Sequence, residues 1–259
     1  MKSSYKISYY LRIVLMIAVY VIFFAYIIYS IIHAQSTSAI FFNLLIALFF
    51  GGIGTLAEYL RICYDAATKR LIAEGKPEET LKLLDRVEKA DVFKTYASSC
   101  QMMRMLAMID LRQFKEVLAY MKTIESDEYD VQIVMKHSEM VAQGELGNKG
   151  KSNEAFKQLV NIRDMKTKKG KRYKGAYFFN WEVVNGQHKN YDRDYDAAYR
   201  YLADVDEHSM NNREVMHYLL AKTIAARNTN HSDVYETSKA RLLKACKENS
   251  VMKDYSEAL

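Results

Sequence analysis

The pattern of apolar and polar positions divides the chain into an apolar start and a longer amphipathic remainder. Between Arg12 and Glu58 there is no charged residue, and two apolar runs lie there, residues 13–32 (20 residues) and residues 40–56 (17 residues). A helix of about 20 apolar residues is long enough to cross the hydrocarbon core of a bilayer. The sequence therefore predicts a transmembrane helical hairpin in residues 1–57, with spans at about 13–32 and 40–56.

The charges around the two runs predict how this hairpin is oriented. The polar break between them, residues 33–38, carries no lysine or arginine, whereas basic residues precede the first run and follow the second: Lys2, Lys6, Arg12, Arg61, Lys69 and Arg70. Lysine and arginine are enriched in cytoplasmic flanks. We therefore expect a multi-pass protein of the cytoplasmic membrane with both termini in the cytoplasm. A cleaved signal peptide is the alternative, but its apolar region would be too long and a second run follows at once.

Small residues recur every four positions in the second apolar run, at Ala47, Gly51 and Thr55. Such a face lets two helix backbones approach closely in lipid, where packing rather than hydrophobicity drives association. We expect it to pack on the first span, around Ala18 and Ala25, or on a partner or a second copy of the chain.

Beyond the apolar start, apolar residues recur three and four positions apart, which predicts helices. Similar apolar segments begin at Thr80, Val117, Ala155, Ala198 and Ser238, and the last of them matches the shared spacing less well. The first four starts are 37, 38 and 43 residues apart. Each segment follows another helical stretch, at about 58–74, 92–110, 129–145, 173–187 and 212–227. A repeated pair of helices is typical of an α-solenoid. We therefore predict an all-α cytoplasmic domain, residues 58–259, of about five helical pairs, with a generic helical bundle as the alternative.

Part of this domain resembles a known repeat. The Leu-Ala-Met of residues 106–108, the Phe-Lys-Glu-Val-Leu of residues 114–118 and Met121 are similar to the turn and second helix of a tetratricopeptide repeat. Gly75 and Gly150 fall where that repeat usually has its turn glycine. The spacing exceeds the 34-residue period of the family, and the closing proline and the tryptophan-leucine-glycine signature are absent. The resemblance implies a protein-interaction scaffold whose concave surface, lined by the first helix of each pair, accepts a peptide or a helix.

Polar and aromatic residues of the predicted first helices are the candidates for contact with that partner. We select five of them as groove residues: Tyr96, Arg104, Tyr177, Asn180 and His217. Aromatic and arginine side chains are the types in which binding energy tends to concentrate. Packing between the third and fourth pairs is the alternative interpretation of the aromatic stretch of residues 177–181.

Six basic residues crowd a nine-residue segment between the third and fourth pairs: Lys166, Lys168, Lys169, Lys171, Arg172 and Lys174. If this loop lies on the membrane-facing edge of a solenoid, each base near an anionic leaflet contributes about 1 kcal/mol to the free energy of membrane binding. A solvated loop, an acidic protein and RNA are the alternative interpretations. The net charge of residues 58–259 is only +3, from 34 basic and 31 acidic side chains, which does not suggest a nucleic-acid-binding domain.

No motif in the sequence predicts catalysis, a metal site or a cofactor. The three cysteines are widely spaced, which fits a reducing compartment. Residues 144–152 lack the spacing of a phosphate-binding loop. The alternating aspartates of residues 192–196 lack the glycine and glutamate of a calcium loop, so we expect them to cap a helix. The six histidines form no His-Glu-x-x-His pair.

These features together predict a membrane-anchored adaptor, which is not an enzyme and binds a protein or peptide at the cytoplasmic face of the membrane. The first alternative is a structural subunit of a multi-protein membrane assembly, of the secretion or envelope-building kind. The second is a membrane-bound enzyme whose catalytic residues come together only in the folded chain.

Overall fold

The structure, a computed structural model, describes residues 2–167, 170, 171, 173, 175 and 178–259, with side chains from residue 14 onward except that of Met16. Over these residues the fold is all-α, as predicted, with twelve α-helices and no β-strand. The chain divides into two compact units, Met1–Arg61 and Ile62–Leu259.

The helices follow one another along the chain with short connections, and a 3-10 turn at Glu207–Ser209 lies between α9 and α10. Their bounds are α1 Lys2–Ile32, α2 Thr37–Ile72, α3 Pro77–Ala90, α4 Ala97–Asp110, α5 Phe114–Met121, α6 Tyr129–Glu145, α7 Lys149–Asp164, α8 Trp181–Tyr191, α9 Tyr195–Ala203, α10 Asn212–Asn228, α11 Ser232–Ala245 and α12 Ser250–Ala258.

Helix α2 is long and apolar enough to cross a membrane, and no residue of its most apolar stretch is buried inside the protein. The predicted span at 13–32 belongs to α1, which is a single helix of 31 residues. Of this span the structure describes Ile17–Ile32 as an apolar helical stretch. The structure therefore supports one span, and the second remains a prediction.

Within the first unit, α1 packs against the apolar part of α2. A Cβ atom placed on Gly51 would lie 3.3 Å from the Phe24 ring, and the Tyr20 hydroxyl fills the place of a Cβ on Gly54. The Phe23 ring meets the Phe50 ring edge-on, with centroids 6.2 Å apart. Glycine at these two positions of α2 therefore allows the close approach of α1.

The small-residue face lies only partly at this contact. Ala47 is half-buried, whereas Thr55 is exposed and donates a hydrogen bond to the Gly51 carbonyl oxygen at 2.8 Å. On α1 the expected partners, Ala18 and Ala25, are exposed. At Gly51 the small-residue face meets Phe24 of the first span, so aromatic side chains, and not the two alanines, fill the space above the glycines.

In the second unit, the helices pack in consecutive pairs. The last turns of α2 contact α3 through a hydrogen bond from Thr80 Oγ1 to the Ala67 carbonyl oxygen at 3.3 Å. The other pairs are α4 with α5, α6 with α7, α8 with α9 and α10 with α11. Five pairs were predicted from the spacing of apolar residues. Helix α12, which packs on α11, was not predicted.

Local sequence explains where several of these helices begin. Pro77 is the first residue of α3, where its missing N–H costs no hydrogen bond. Glu78 and Glu79 lie in the first turn, where their negative charges interact favourably with the positive end of the helix dipole. Asn211 and Glu214 form a reciprocal capping box at the start of α10. Asp194 caps α9 by accepting from the Ala197 N–H at 3.3 Å, the role predicted for this aspartate.

The core of the second unit consists of two clusters of buried apolar side chains. The first joins α4 to α7 with a contribution from α8, and its largest fully buried members are Met105, Ile133, Met140 and Leu159. The second joins α8 to α12 and contains Leu202, Met216, Tyr218, Leu219, Leu242 and Met252. Both arise from apolar residues that recur on one face of each helix.

Candidate functional site

An open recess of the second unit lies on α6, between α5 and α7. It has a volume of about 670 Å³, and we call it the α5–α7 groove. Helix α5 has only eight residues, about 12 Å, and α6 has 17, about 25 Å, so α5 covers only part of α6. The remaining surface of α6 forms the floor of the groove, with Met135, Lys136, Glu139 and Gln143.

The groove combines apolar and charged groups. Leu118, Met121 and Met135 supply its apolar side chains. Three lysines and two glutamates also line it: Lys122, Lys136, Lys151, Glu139 and Glu154. Lys136 and Glu139 neutralise each other at 2.7 Å. Lys122 and Lys151 are exposed and form no ion pair with a described residue, so the groove offers two free cations beside an apolar strip.

A second polar site is buried where α4 meets α10. Asp110, with a side chain that is 0% exposed, accepts hydrogen bonds from Arg213 Nε at 2.9 Å and Nη2 at 2.8 Å. The His217 Nε2 atom lies 2.7 Å from Asp110 Oδ1. Arg213 and His217 are four residues apart on α10 and therefore share one face of that helix. We call these three residues the Asp110 junction.

Burial and charge act in opposite directions on this carboxylate. Burial disfavours its ionised form and would raise the pKa of Asp110, but the nearby charges of Arg213 and His217 outweigh burial and lower it. The carboxylate is therefore ionised at neutral pH. Asn249 extends the junction by donating to the Asp110 carbonyl oxygen at 3.4 Å, and this brings the start of α12 to the end of α4.

His137, on α6, lies beside the Asp110 junction and stacks on Phe179 with ring centroids 4.0 Å apart. Burial, together with the charges of Arg213 and His217, lowers the pKa of His137 to about 3, so its ring is neutral at physiological pH. The Nδ1 atom of His137 and the Oε1 atom of Gln187 have no hydrogen-bond partner among the described residues. Both residues line a cavity of about 30 Å³, which has room for about one water molecule.

A third cluster of polar side chains lies beside this cavity. Arg112 donates to Glu145 at 2.6 Å, and the Tyr191 hydroxyl donates to the same carboxylate at 3.3 Å. The Arg112 guanidinium also lies 3.3 Å from the centroid of the Tyr255 ring on α12. The adjoining cavity has a volume of about 20 Å³. Ligand pockets usually measure about 300–1,000 Å³, so neither small cavity can hold a substrate.

The structure describes four of the five predicted groove residues, and these four do not line one groove. Asn180 and His217 line the same 30 Å³ cavity, and His217 is held by Asp110. Arg104 pairs instead with Asp85 at 2.6 Å and with Glu88 at 2.8 Å. Tyr177 lies outside the described residues.

Two of these residues also precede the helices that were expected to carry them. Tyr96 is the N-cap residue of α4, with its ring 5.1 Å from that of Tyr64. Asn180 is the N-cap residue of α8 and accepts from the Val183 N–H at 3.2 Å. The predicted helix starts, residues 92 and 173, were too early because apolar spacing continues into the connections that precede each helix.

Of the basic cluster, the structure describes Lys166 and Lys171, and the other four bases lie outside the described residues. The Thr167 N–H donates to the Lys171 carbonyl oxygen at 2.8 Å, and the Gly170 N–H donates to the Thr167 carbonyl oxygen at 2.8 Å. Gly170 has a φ of +72°, which glycine adopts readily. The two described lysines therefore flank a tight turn.

Two of the cysteines are unsuited to nucleophilic chemistry. Burial raises the pKa of Cys100 and of Cys246 to about 12, so both thiols are protonated at neutral pH, and a protonated thiol is a poor nucleophile. Within the described part of the chain, no group of three or more His, Cys, Asp or Glu side chains could hold a metal ion. Residues 144–152 cover the end of α6, the connection of residues 146–148 and the first turn of α7, and Asn148 is the N-cap residue of α7.

Comparison with known proteins finds no matching family model, no similar curated protein and no similar solved structure. The interpretation of these sites therefore rests on their geometry.

Sequence reasoning missed the Asp110 junction and the α5–α7 groove. Asp110 stands out in the sequence as a lone acid at the end of an apolar helix, but its two partners are more than 100 residues away. The groove depends on how early α5 ends, and element ends are the least certain part of a reading from sequence.

Proposed function

We propose that this chain is a membrane-anchored adaptor that binds a segment of a partner protein in the α5–α7 groove. The observation that supports partner binding is the groove itself, an open recess of about 670 Å³ with an apolar strip. It also has two exposed lysines, Lys122 and Lys151, that form no ion pair with a residue the structure describes. An amphipathic helix with acidic residues beside its apolar face complements this surface, which corresponds to the helix-in-groove mode of recognition. The proposed partner is therefore an acidic amphipathic peptide segment.

The membrane part of the proposal rests on α2. A long apolar helix whose apolar residues are not covered by the rest of the protein is stable in a bilayer and costly in water. We propose that α1 provides a second span, so that the two helices form a hairpin, and that both termini lie in the cytoplasm because the flanking bases do. The consecutive pairs of α2 to α11 are compatible with a tetratricopeptide-like solenoid, which we propose as the architecture of the second unit.

Site-specific photo-crosslinking of the full-length chain in its native membrane tests the binding proposal. A photoreactive amino acid replaces Met135, on the floor of the groove, and in a matched control it replaces Tyr201, an exposed residue of α9. We expect a discrete protein adduct at Met135 that weakens when Lys122 and Lys151 are changed to glutamate. The same adducts from both positions, or adducts insensitive to the two lysines, would remove the groove as the binding site.

The alternative of a structural subunit held by its membrane helices requires a free helix face. Gly51 and Gly54, which allow the closest approach of another helix, already contact Phe24 and Tyr20 of the same chain. This contact supports packing of α1 on α2 within the hairpin, whereas Gly52 on the same helix has no other group within 4 Å of its Cβ position.

A further inference from the structure

The last helix, α12, contacts parts of the second unit that are distant from it in the chain. Asn249, its N-cap residue, donates to the Asp110 carbonyl oxygen at 3.4 Å and so reaches the end of α4. The guanidinium of Arg112, in the connection between α4 and α5, lies 3.3 Å from the centroid of the Tyr255 ring. In a solenoid each repeat contacts only its neighbours. Because α12 reaches a pair well before its own neighbour α11, it is more than the next repeat in a stack.

Met252 is the apolar residue by which α12 enters the interior. Its side chain is only 1% exposed. It lines the cavity of about 20 Å³ together with residues of four other helices, among them Ile109 of α4, Glu145 of α6, Tyr191 of α8 and Leu220 of α10. Insertion of one apolar anchor between several helices is how a bound helix is held in helix-in-groove recognition. Within its own chain, α12 therefore lies as a bound helix would.

The residues that hold α12 lie on one face of the helix. Asn249, Met252 and Ser256 are buried, and their spacing of three and four positions places them on the same side. Lys253, on the other side, is exposed. The Asn249 side chain also caps the helix by accepting from the Met252 N–H at 3.0 Å. With Tyr255 as its aromatic contact, this short segment carries its own cap, its apolar anchor and its stacking ring.

The attachment of α12 is slight compared with that of α10. Two of the nine residues of α12 are buried, whereas nine of the 17 residues of α10 are. Ordering each residue of a helix costs conformational entropy, and an isolated helix this short is marginal in water. A hydrogen bond such as that from the Tyr235 hydroxyl to the Leu259 carbonyl oxygen, at 2.9 Å, can be exchanged for bonds to water. Segments with few buried apolar contacts open before the rest of a fold, so α12 can detach while α10 stays in place.

We propose that α12 is a releasable strap that fills, within the chain, a surface able to bind a helix of a partner protein. The partner helix presents the same groups in the same order: an N-cap asparagine, an unbranched apolar side chain three positions later and an aromatic ring after another three. The ring stacks on the Arg112 guanidinium, and the apolar side chain fills the space beside Ile109 and Leu220. This surface shares no described lining residue with the α5–α7 groove, so it is a second binding surface.

Hydrogen–deuterium exchange of the full-length chain in detergent tests whether α12 is released. We expect protection factors in α12 to be at least about tenfold lower than those in α10, because α12 opens locally. Met252→Ala should lower the protection of α12 further and leave that of α10 unchanged. Lys253→Ala, the matched control on the exposed face, should change neither. Equal protection of α12 and α10 would mean that α12 leaves only when the whole unit unfolds, and this result would overturn the proposal.

A synthetic peptide with the sequence of residues 247–259 and an N-terminal fluorophore tests the surface that α12 covers. It is added to full-length chains that carry Met252→Asp, Lys253→Asp or no substitution. We expect the fluorescence anisotropy of the peptide to rise with the Met252→Asp chain, because a buried aspartate keeps the chain's own α12 off the surface. The other two chains should give a smaller rise, and a peptide that itself carries Met252→Asp should give none with any chain.

The remaining outcomes count against the strap. If no peptide binds the Met252→Asp chain, the surface does not accept a helix from outside. Equal rises with the Met252→Asp and Lys253→Asp chains, or with the two peptides, would mean that the peptide binds elsewhere. Loss of protection in α10 of the Met252→Asp chain would show that the fold cannot exist without α12 in place, which also overturns the proposal.

Discussion

Asp110 and Arg213 are 103 residues apart in the chain, yet two hydrogen bonds of 2.8 and 2.9 Å join them in the interior of the second unit. The contact links α4 directly to α10. His217 adds a third bond to the same carboxylate at 2.7 Å. Ionic contacts thus fill the space between the facing surfaces of α4 and α10, whereas the α5–α7 groove is open to solvent.

Loss of the arginine at this junction should destabilise the second unit strongly. Arg213→Met leaves the Asp110 carboxylate buried without its main partner, and breaking a buried pair in this way costs about 3–5 kcal/mol. Urea unfolding of the full-length chain in detergent, followed by the fluorescence of Trp181, measures the free energy of unfolding. Arg241→Met is the matched control, because Arg241 is 51% exposed in its pair with Glu207 and should contribute at most about 1 kcal/mol. Equal effects of the two substitutions would show that the buried pair has no special role.

His137 should make the stability depend on pH. Its pKa in the folded state is about 3, compared with 6.5 for the unperturbed group, so below pH 6.5 the unfolded chain binds a proton that the folded chain does not. Stability is therefore complete above pH 6.5 and falls as the pH falls towards 3, by up to about 1.4 kcal/mol for each pH unit. His137→Gln should remove this part of the slope between pH 6 and pH 4, measured by the same urea unfolding.

Asp110 affects the stability of the fold in a separate pH range. Because its folded pKa lies below the ordinary value of 3.8, its contribution is present above that pH and is lost only as the pH falls further. The difference in slope between the native chain and the His137→Gln variant above pH 4 therefore reports on the histidine. An unchanged slope in the variant would contradict the neutral, buried state of His137.

The close approach of α1 to α2 should depend on Gly54 and not on Gly52. Leucine at Gly54 collides with Tyr20, and overpacking of this kind costs about 1–3 kcal/mol. Gly52 has no atom of another group within 4 Å of its Cβ position, so Gly52→Leu is a matched control with the same change in helix propensity. Pyrene labels on Phe23→Cys and Phe50→Cys, whose rings are 6.2 Å apart, report the contact as excimer emission. We expect Gly54→Leu to lower that emission; equal emission from the two variants would argue against this packing.

The repeat of helical pairs could be predicted from the sequence because each helix buries one apolar face, and that face recurs in the local pattern. The pattern is weaker for α12, where Met252 is fully buried but the helix has only nine residues. The Asp110 junction could not be predicted, because nothing local to Asp110 specifies a partner on α10. The α5–α7 groove depends on the end of α5 at Met121, which the apolar spacing does not define.

The contacts of the glycines in α2 are a second feature that the sequence alone could not predict. The four-residue spacing of Ala47, Gly51 and Thr55 predicts a surface where helices can approach. Gly54 lies outside that spacing, and the side chains that meet the glycines, Tyr20 and Phe24, are set by the packing of α1. Their long side chains meet Gly54 and Gly51, and a small-on-small contact is not formed.

Cysteine labelling from the two sides of the membrane tests the central claim, that an apolar hairpin holds the helical unit at the cytoplasmic face. Gln35→Cys places a thiol in the break between α1 and α2, and Leu259→Cys places one at the end of the chain; the native cysteines, Cys63, Cys100 and Cys246, are buried, and the unsubstituted chain is the control. A membrane-impermeant maleimide applied to intact cells should label Gln35→Cys at once, and should label Leu259→Cys only after the membrane is permeabilised. Labelling of Leu259→Cys in intact cells, or recovery of the chain in the soluble fraction, would contradict the account.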